Sequence, residues 1–434
     1  MLFGNAILRK RFDDTQGVFM LQRLLSFVLV PAAILLFNPI LLSQDTSSPQ
    51  GRLPKIAFSA PQVISVPEAY TNPLTFGDFN NDGNTDILTQ GGLLLGDGKG
   101  GFTVSSIDES LLVSQGYYLA VADVNGDGNL DVLQLQPGFF DTNHCDDEAG
   151  QVNVFLGDGK GSFTEFGYGE PIAPPGDTYA MLVGDFNHDG KPDVAFSEYN
   201  GLGPCNEPPS QGVFIYVNNG DGTFTNTQEL NLAADQQISV TGDFNGDGNL
   251  DLALSYFGGP IQVLSGNGDG SFRTGPVYTL DSFLYNLAAG DLNGDKRTDL
   301  LAQVDNKGLN PKGTRIASLL AKETEGFYWS SNLNLPNVQT FVSPPADFNS
   351  DGKPDILLSY SYSYSSSAEN SVQVFAGEGY GRFAGPQSFL VESALVNEFA
   401  FPLTTGAPPS ILFRSVTSVA NGTYQLGLLL NESK

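Results

Sequence analysis

Histidine, cysteine and basic residues are scarce in this 434-residue chain, and each scarcity closes off a class of function. Of the two histidines, His144 stands beside Cys145, Asp146 and Asp147, and His188 sits inside a repeated loop as a solvent-facing spacer. Neither has a recurring partner set, and no Ser-His-Asp arrangement, P-loop or zinc spacing is present. The two cysteines, Cys145 and Cys205, allow one disulfide at most, which suits an exported protein. Lys and Arg total 20 against 48 Asp and Glu, a formal net charge of −28. That balance argues against nucleic acid or anionic lipid as a partner. Long apolar runs are equally few. Residues 24–42 form one, preceded by Arg23 and interrupted by Pro31, Asn38 and Pro39. It reads as a signal peptide or an uncleaved anchor, with Met20 as an alternative start. The expected organisation is a targeting segment and linker over residues 1–52, then one folded domain over 53–434. The product is secreted, periplasmic or cell-surface, with membrane attachment only through residues 24–42.

What the chain has in abundance is glycine (51), proline (26) and phenylalanine (31), the composition of many short strands joined by turns. One nine-residue loop recurs six times, beginning at Asp78, Asp123, Asp185, Asp243, Asp291 and Asp347. Positions 1, 5 and 9 are always Asp and position 3 is always Asn. Alternating oxygen side chains around a tight turn wrap a hard cation, and Ca²⁺ takes six to eight oxygens at loose geometry. Glycine at position 6 permits the positive φ needed where the chain doubles back. The predicted ligands are Asp78, Asn80, Asp82, Asn84 and Asp86; Asp123, Asn125, Asp127, Asn129 and Asp131; Asp185, Asn187, Asp189, Lys191 and Asp193. The second half of the ring adds Asp243, Asn245, Asp247, Asn249 and Asp251; Asp291, Asn293, Asp295, Arg297 and Asp299; Asp347, Asn349, Asp351, Lys353 and Asp355. Position 7 binds through its carbonyl, which explains why Lys and Arg are tolerated there. About six structural Ca²⁺ are therefore expected, with metal binding coupled to folding. The fifth loop has Lys296 at position 6 and should be the weakest. An EF-hand is ruled out, because it needs Glu at position 12 and those positions hold Thr89, Gln134, Phe196, Leu254, Ala302 and Leu358.

The loop is only part of the repeat. A short apolar stretch precedes each first Asp and another follows position 9, so the loop joins two strands. A third strand runs into a Gly-rich turn closing on Phe102, Phe163, Phe224, Phe272, Phe327 or Phe383, and a fourth strand follows. Four antiparallel strands recurring every 45 to 62 residues predict an all-β, seven-bladed β-propeller. After Phe383 the order strand, turn, strand, strand repeats without the acidic loop and stops before a fourth strand. Residues Phe58 to Val66 mirror Phe383 to Val391, so the N-terminal strand is expected to complete blade seven. Six blades with a loose C-terminal tail is the alternative.

Over roughly residues 53–434, the Asp-rich loops and the Gly-rich turns ending in Phe resemble FG-GAP/VCBS repeats, as in the integrin α-subunit propeller and many exported bacterial proteins. The resemblance implies that the metal loop joins the first two strands of a blade and that loops on the opposite face bind partners. Integrin-style ligand recognition is not implied, since nothing marks a partnering subunit.

Six residues before each first Asp stand Asn72, Tyr117, Tyr179, Gln237, Tyr285 and Phe341. They are expected to ring the channel mouth opposite the calcium hairpins, with Tyr117, Tyr179, Tyr285 and Phe341 as the candidate ligand face. Aromatic rings beside amides suit sugars or peptides, although interior packing between blades explains the same pattern. Cys145 and Cys205 fall in matching insertions of neighbouring blades, so a disulfide between them is expected. The reading is an exported, monomeric binding or adhesion module for a glycan or an extracellular protein. The alternatives are a polysaccharide lyase or hydrolase with a site in the central cleft, and a purely structural envelope protein.

Overall fold

A computed structural model describes residues 55–67, 70–71, 73–105, 118–136, 139–141, 146–148, 151–166, 172, 178–199, 211–232, 237–255, 259–305, 314–335, 344–360, 371–391, 394–418 and 423–433. Seven of its sheets are antiparallel blades, and two more are two-stranded hairpins. Blade one contains Pro73–Gly77, Asp86–Thr89, Gly92–Gly96 and Phe102–Ser105. Blade two contains Tyr118–Ala122, Asp131–Gln136, Gln151–Gly157 and Phe163–Phe166. Thr178–Gly184, Asp193–Tyr199, Gln211–Asn218 and Phe224–Asn231 form blade three; Gln237–Gly242, Asp251–Ser255, Ile261–Gly266 and Phe272–Tyr278 form blade four. Blade five is Leu284–Gly290, Asp299–Asp305, Thr314–Ala321 and Phe327–Asn334.

The last two blades show how the ring ends. Blade six has Ile356–Tyr360, Ser371–Phe375 and Gln387–Leu390 among the described residues. Its outer strand starts four residues beyond Phe383, because Phe383 is held in a small hairpin opposite Gly377. Blade seven has Ala394–Phe401, Ser410–Ser418 and Thr423–Leu429, and its fourth strand is the N-terminal Gln62–Ile64. Gln62 pairs with Leu428 and Ile64 with Leu426. Phe58 bridges to Asn431, and Glu432 donates its amide to the Ala57 carbonyl. The expected closure by both termini is present, and the six-blade alternative is not.

Each blade-to-blade contact has its own apolar core, because every interior strand alternates between the two faces it presents to its neighbours. Phe79, Leu88 and Leu93 of blade one meet Val132, Phe155 and Phe163 of blade two. Equivalent clusters join blades two and three, three and four, four and five, five and six, and six and seven. A last one joins Ile64 and Leu426 of blade seven to Phe76 and Ile87 of blade one. The first strands of blades one to five touch in succession, so they are the inner strands lining the axis. Among the described residues no helix is long and apolar enough to cross a membrane. Residues 1–54, and with them the targeting segment, lie outside the described residues, as do Cys145 and Cys205.

Candidate functional site

The six loops build one end of the propeller, and a single buried carboxylate anchors each. Asp86, Asp131, Asp193, Asp251, Asp299 and Asp355 at position 9 are all 0% exposed. One oxygen of each accepts the amide of position 2 (Phe79, Val124, Phe186, Phe244, Leu292, Phe348), at 2.8–3.0 Å. The other accepts an amide at the end of the third strand (Gly96, Gly157, Asn218, Gly266, Ala321, Gly377), at 2.7–2.9 Å. One side chain thus ties the loop's first turn to two strands. The close approach explains the glycine at four of these six strand ends, where a Cβ on Gly157, for example, would lie 2.2 Å from the Leu130 carbonyl oxygen; Asn218 and Ala321 stand at the other two.

Position 2 carries the tie onward to the next blade. Its side chain is buried in all six loops, and Phe79 meets Phe163, Phe186 meets Phe272, and Phe244 meets Phe327 edge-to-face at 5.3–5.7 Å. These partners are the phenylalanines that close the following blades' Gly-rich turns. The position 2 carbonyls of Phe79, Val124, Phe186 and Leu292 accept the amides of Gly161, Gly222, Gly270 and Gly381 from the following blades. At the ring closure, Asn431 Nδ2 donates to the Phe348 carbonyl instead. The two sequence signatures are therefore halves of one interlock.

The remaining loop oxygens curl around the tip. In every loop the Asp at position 1 accepts the amides of positions 5 and 6, as when Asp82 and Gly83 donate to Asp78 at 3.0 and 2.8 Å. The Asn at position 3 and the Asp at position 5 accept the amides of positions 5 and 7, as at Asn80 and Asp82. Position 6 has φ near 80° where it is Gly, and Lys296 is forced to φ 70°. Position 4 is left-handed too, at Asn81, Gly126, His188, Gly246, Gly294 and Ser350. His188 is more than a spacer, since its Nε2 lies 2.8 Å from Asn249 Oδ1 on the next loop. Asn81 Nδ2 likewise donates to Asn129 Oδ1 at 2.7 Å, so the first tip is linked to the second and the third to the fourth.

The donor set fits a hard cation: two carboxylates, an amide oxygen and a backbone carbonyl on one loop, with no nitrogen or sulfur among the expected ligands. The position 9 carboxylate is turned inward, and among the described residues no three Asp, Glu, His or Cys side chains converge as a ready-made metal centre. Its two oxygens keep lone pairs beyond those used by the amides. Electrostatics favours a counter-ion. Burial pushes Asp86, Asp131, Asp193 and Asp299 up to about 6, and Asp251 and Asp355 up to about 7. The two amide bonds oppose that rise, and the carboxylates at positions 1 and 5 add to it.

The opposite end is built differently. The connection from first to second strand leaves eight residues in blades one to five, and the turn from third to fourth leaves five. The connections from second to third strand range from two residues after Thr89 to fourteen after Gln136. The first strands begin at this variable end, and those of blades one, three, four, five and seven carry a register shift near their start. In blades three and five the extra residue is Tyr179 or Tyr285, and such bulges re-aim a side chain. Tyr285 is half-buried, its ring 5.3 Å from that of Phe283. The Tyr179 side chain, Tyr117, Phe341 and Asn72 lie outside the described residues, so Tyr285 is the described aromatic of the expected ligand face.

A family model described as FG-GAP-like repeat matches residues 144–196, 206–254 and 243–302. Over those residues the chain carries FG-GAP-like repeats. Over 151 residues it is 30% identical to integrin alpha-6 of Gallus gallus, a stretch that covers 33% of this chain and 13% of that protein. Among solved structures, BBS1N in complex with ARL6DN, soaked with mercury, matches with TM-score 0.54 at 9% identity over 87% of this chain and 98% of that one. Chaetomium thermophilum Raptor matches with TM-score 0.54 at 11% identity over 88% of this chain and 29% of that one. At such identities the two structures speak to the propeller fold alone.

Two outcomes follow from the loop geometry. A carboxyl whose pKa is higher folded than unfolded favours the fold when protonated, so its contribution declines as pH rises from about 4 towards 7. In EGTA the melting temperature should therefore fall between pH 5 and pH 7.5, and added calcium at pH 7.5 should reverse the fall; an EGTA melt that is flat or rising over that window contradicts this. Lys296→Gly removes a left-handed lysine and should raise stability by about 0.5–1 kcal/mol in urea denaturation.

Proposed function

We propose that this FG-GAP propeller is an exported calcium-binding adhesion or recognition module whose ligand meets the end opposite the acidic loops. The observation that carries the proposal is the contrast between the two ends: loops of constant length and near-constant sequence at one, connections of widely varying length at the other. An end that repeats itself six times serves the fold, whereas ligand recognition draws on loops held by a rigid scaffold and free to differ. The similarity to integrin alpha-6 over a third of the chain supports a protein ligand and an extracellular or cell-surface setting. The half-buried Tyr285 ring at the variable end suits a glycan as well.

Calcium, in this reading, is held by Asp at positions 1 and 5, Asn at position 3 and the carbonyl at position 7, with the position 9 carboxylate behind them. It would supply positive charge to a hairpin tip where three carboxylates otherwise repel one another. The chain's own contribution is to pre-set those oxygens through backbone amides.

The experiment is to probe calcium-loaded protein on arrays of glycans and extracellular-matrix proteins, and to repeat it with Tyr285→Ser. Binding to at least one class, weakened roughly tenfold by the substitution, is the expected outcome. Blank arrays, or release of oligosaccharides from bound polysaccharide, would overturn the reading, the second in favour of an enzyme.

A further inference from the structure

The outer strand of blade five, Phe327–Asn334, departs from its counterparts. After the closing Phe, other blades continue with Thr103, Thr164, Thr225, Arg273 or Ala384. Blade five continues with Tyr328 and Trp329, which are 46% and 39% exposed. Trp329 is the only tryptophan in the chain. Its ring is held in place, since Nε1–H donates to Asn332 Oδ1 at 3.0 Å and the Arg315 guanidinium carbon lies 5.3 Å from the ring centroid. Arg315 is fixed in turn by bonds of 2.8 Å to Asp281 Oδ1 and 2.9 Å to Ser282 Oγ. A large ring that is rigid yet wet contributes little to the fold and loses little entropy when a ligand covers it.

We propose that Trp329 is the stacking platform of a second binding site, on the outer rim of blade five, for a neutral saccharide chain. Three observations select that ligand class. The ring is bordered by an amide (Asn332), a guanidinium (Arg315) and a carboxylate (Asp281, its side chain 81% exposed). This pairs an apolar surface for sugar C–H groups with donors and acceptors for hydroxyls. The Arg315–Asp281 pair cancels the local charge, and the chain's net −28 opposes acidic polymers. Addition of a peptide strand is disfavoured, because a register shift interrupts the pairing of this edge at Ser318 and Leu319 and bulged edges resist further pairing. A further ring stands nearby: Ser330 Oγ donates to the Tyr380 carbonyl at 2.6 Å, and Tyr380 is 68% exposed. Its counterparts on the turns of blades one to five are Lys99, Lys160, Asp221, Asp269 and Thr324, none of them aromatic. Spaced rings along a rim suit an extended chain better than a single sugar.

The single tryptophan makes the test specific. Full-length protein is titrated with a soluble β-glucan, a galactomannan and an arabinoxylan while tryptophan emission is recorded, and is run through native gels containing each. A saturable emission change with at least one polysaccharide, matched by retardation in that gel, is the expected result. Trp329→Ala should weaken the retardation roughly tenfold, and Trp329→Phe, which keeps a ring, should retain part of it; both should melt as the parent does. Unchanged emission with all three, retardation undiminished in Trp329→Ala, or a response confined to a proline-rich peptide would each overturn the proposal. The emission comes from this ring alone, so its failure is distinguishable from failure at the channel mouth.

Discussion

A carboxylate buried at the base of each acidic loop is the constraint on which the propeller is built. An Asp with no exposed surface is costly unless both oxygens are satisfied, and here they are satisfied by two backbone amides from different strands. Those bonds fix where the loop's first turn lies and therefore where its position 2 side chain points. That side chain enters the next blade's core, and its carbonyl caps the next blade's turn. Removing the carboxylate would leave two buried donors unpaired, each costing about 1–3 kcal/mol, and would loosen an inter-blade contact as well. Local electrostatics and ring assembly are one problem in this fold.

The arrangement divides labour between the two ends. At the loop end, geometry leaves little freedom: strand connections keep their length, left-handed positions recur at 4 and 6, and Asn81, Asn129, His188 and Asn249 link adjacent tips. At the other end the connections vary, and bulges turn individual residues such as Tyr285 out of the ladder. The outer rim adds a third kind of surface, where the exposed positions of an edge strand accept Tyr328 and Trp329. Specific features collect where the repeat stops constraining the chain.

Much of this was legible in the residues. The spacing of Asp78 to Asp347 marked the hairpin tips, the closing phenylalanines marked the outer turns, and the likeness of the Phe58 and Phe383 segments located the missing strand of blade seven. Other features left no distinguishing residue. Position 9 looks like any other oxygen ligand in the sequence, and only the fold reveals that it faces inward to two amides. The apolar identity of position 2, from Phe79 to Phe348, was a visible signal for the interlock that ligand spacing alone overlooks. Bulges at Tyr179 and Tyr285 have no sequence signature, because a register shift depends on the partner strand. The outer strand of blade six begins late because Phe383 pairs within its own hairpin, a choice made by local geometry and by Gly385 and Pro386 after it.

Hydrogen exchange at the position 2 amides tests the central constraint most directly. The account predicts that Phe79, Val124, Phe186, Phe244, Leu292 and Phe348 exchange as slowly as core-strand amides although they sit in loops. It also predicts that Asp251→Ala deprotects Phe244 and Gly266 while leaving Phe79 and Gly96 protected. Exchange at these amides as fast as at the exposed loop tips, or equal protection with and without the Asp251 carboxylate, would contradict it.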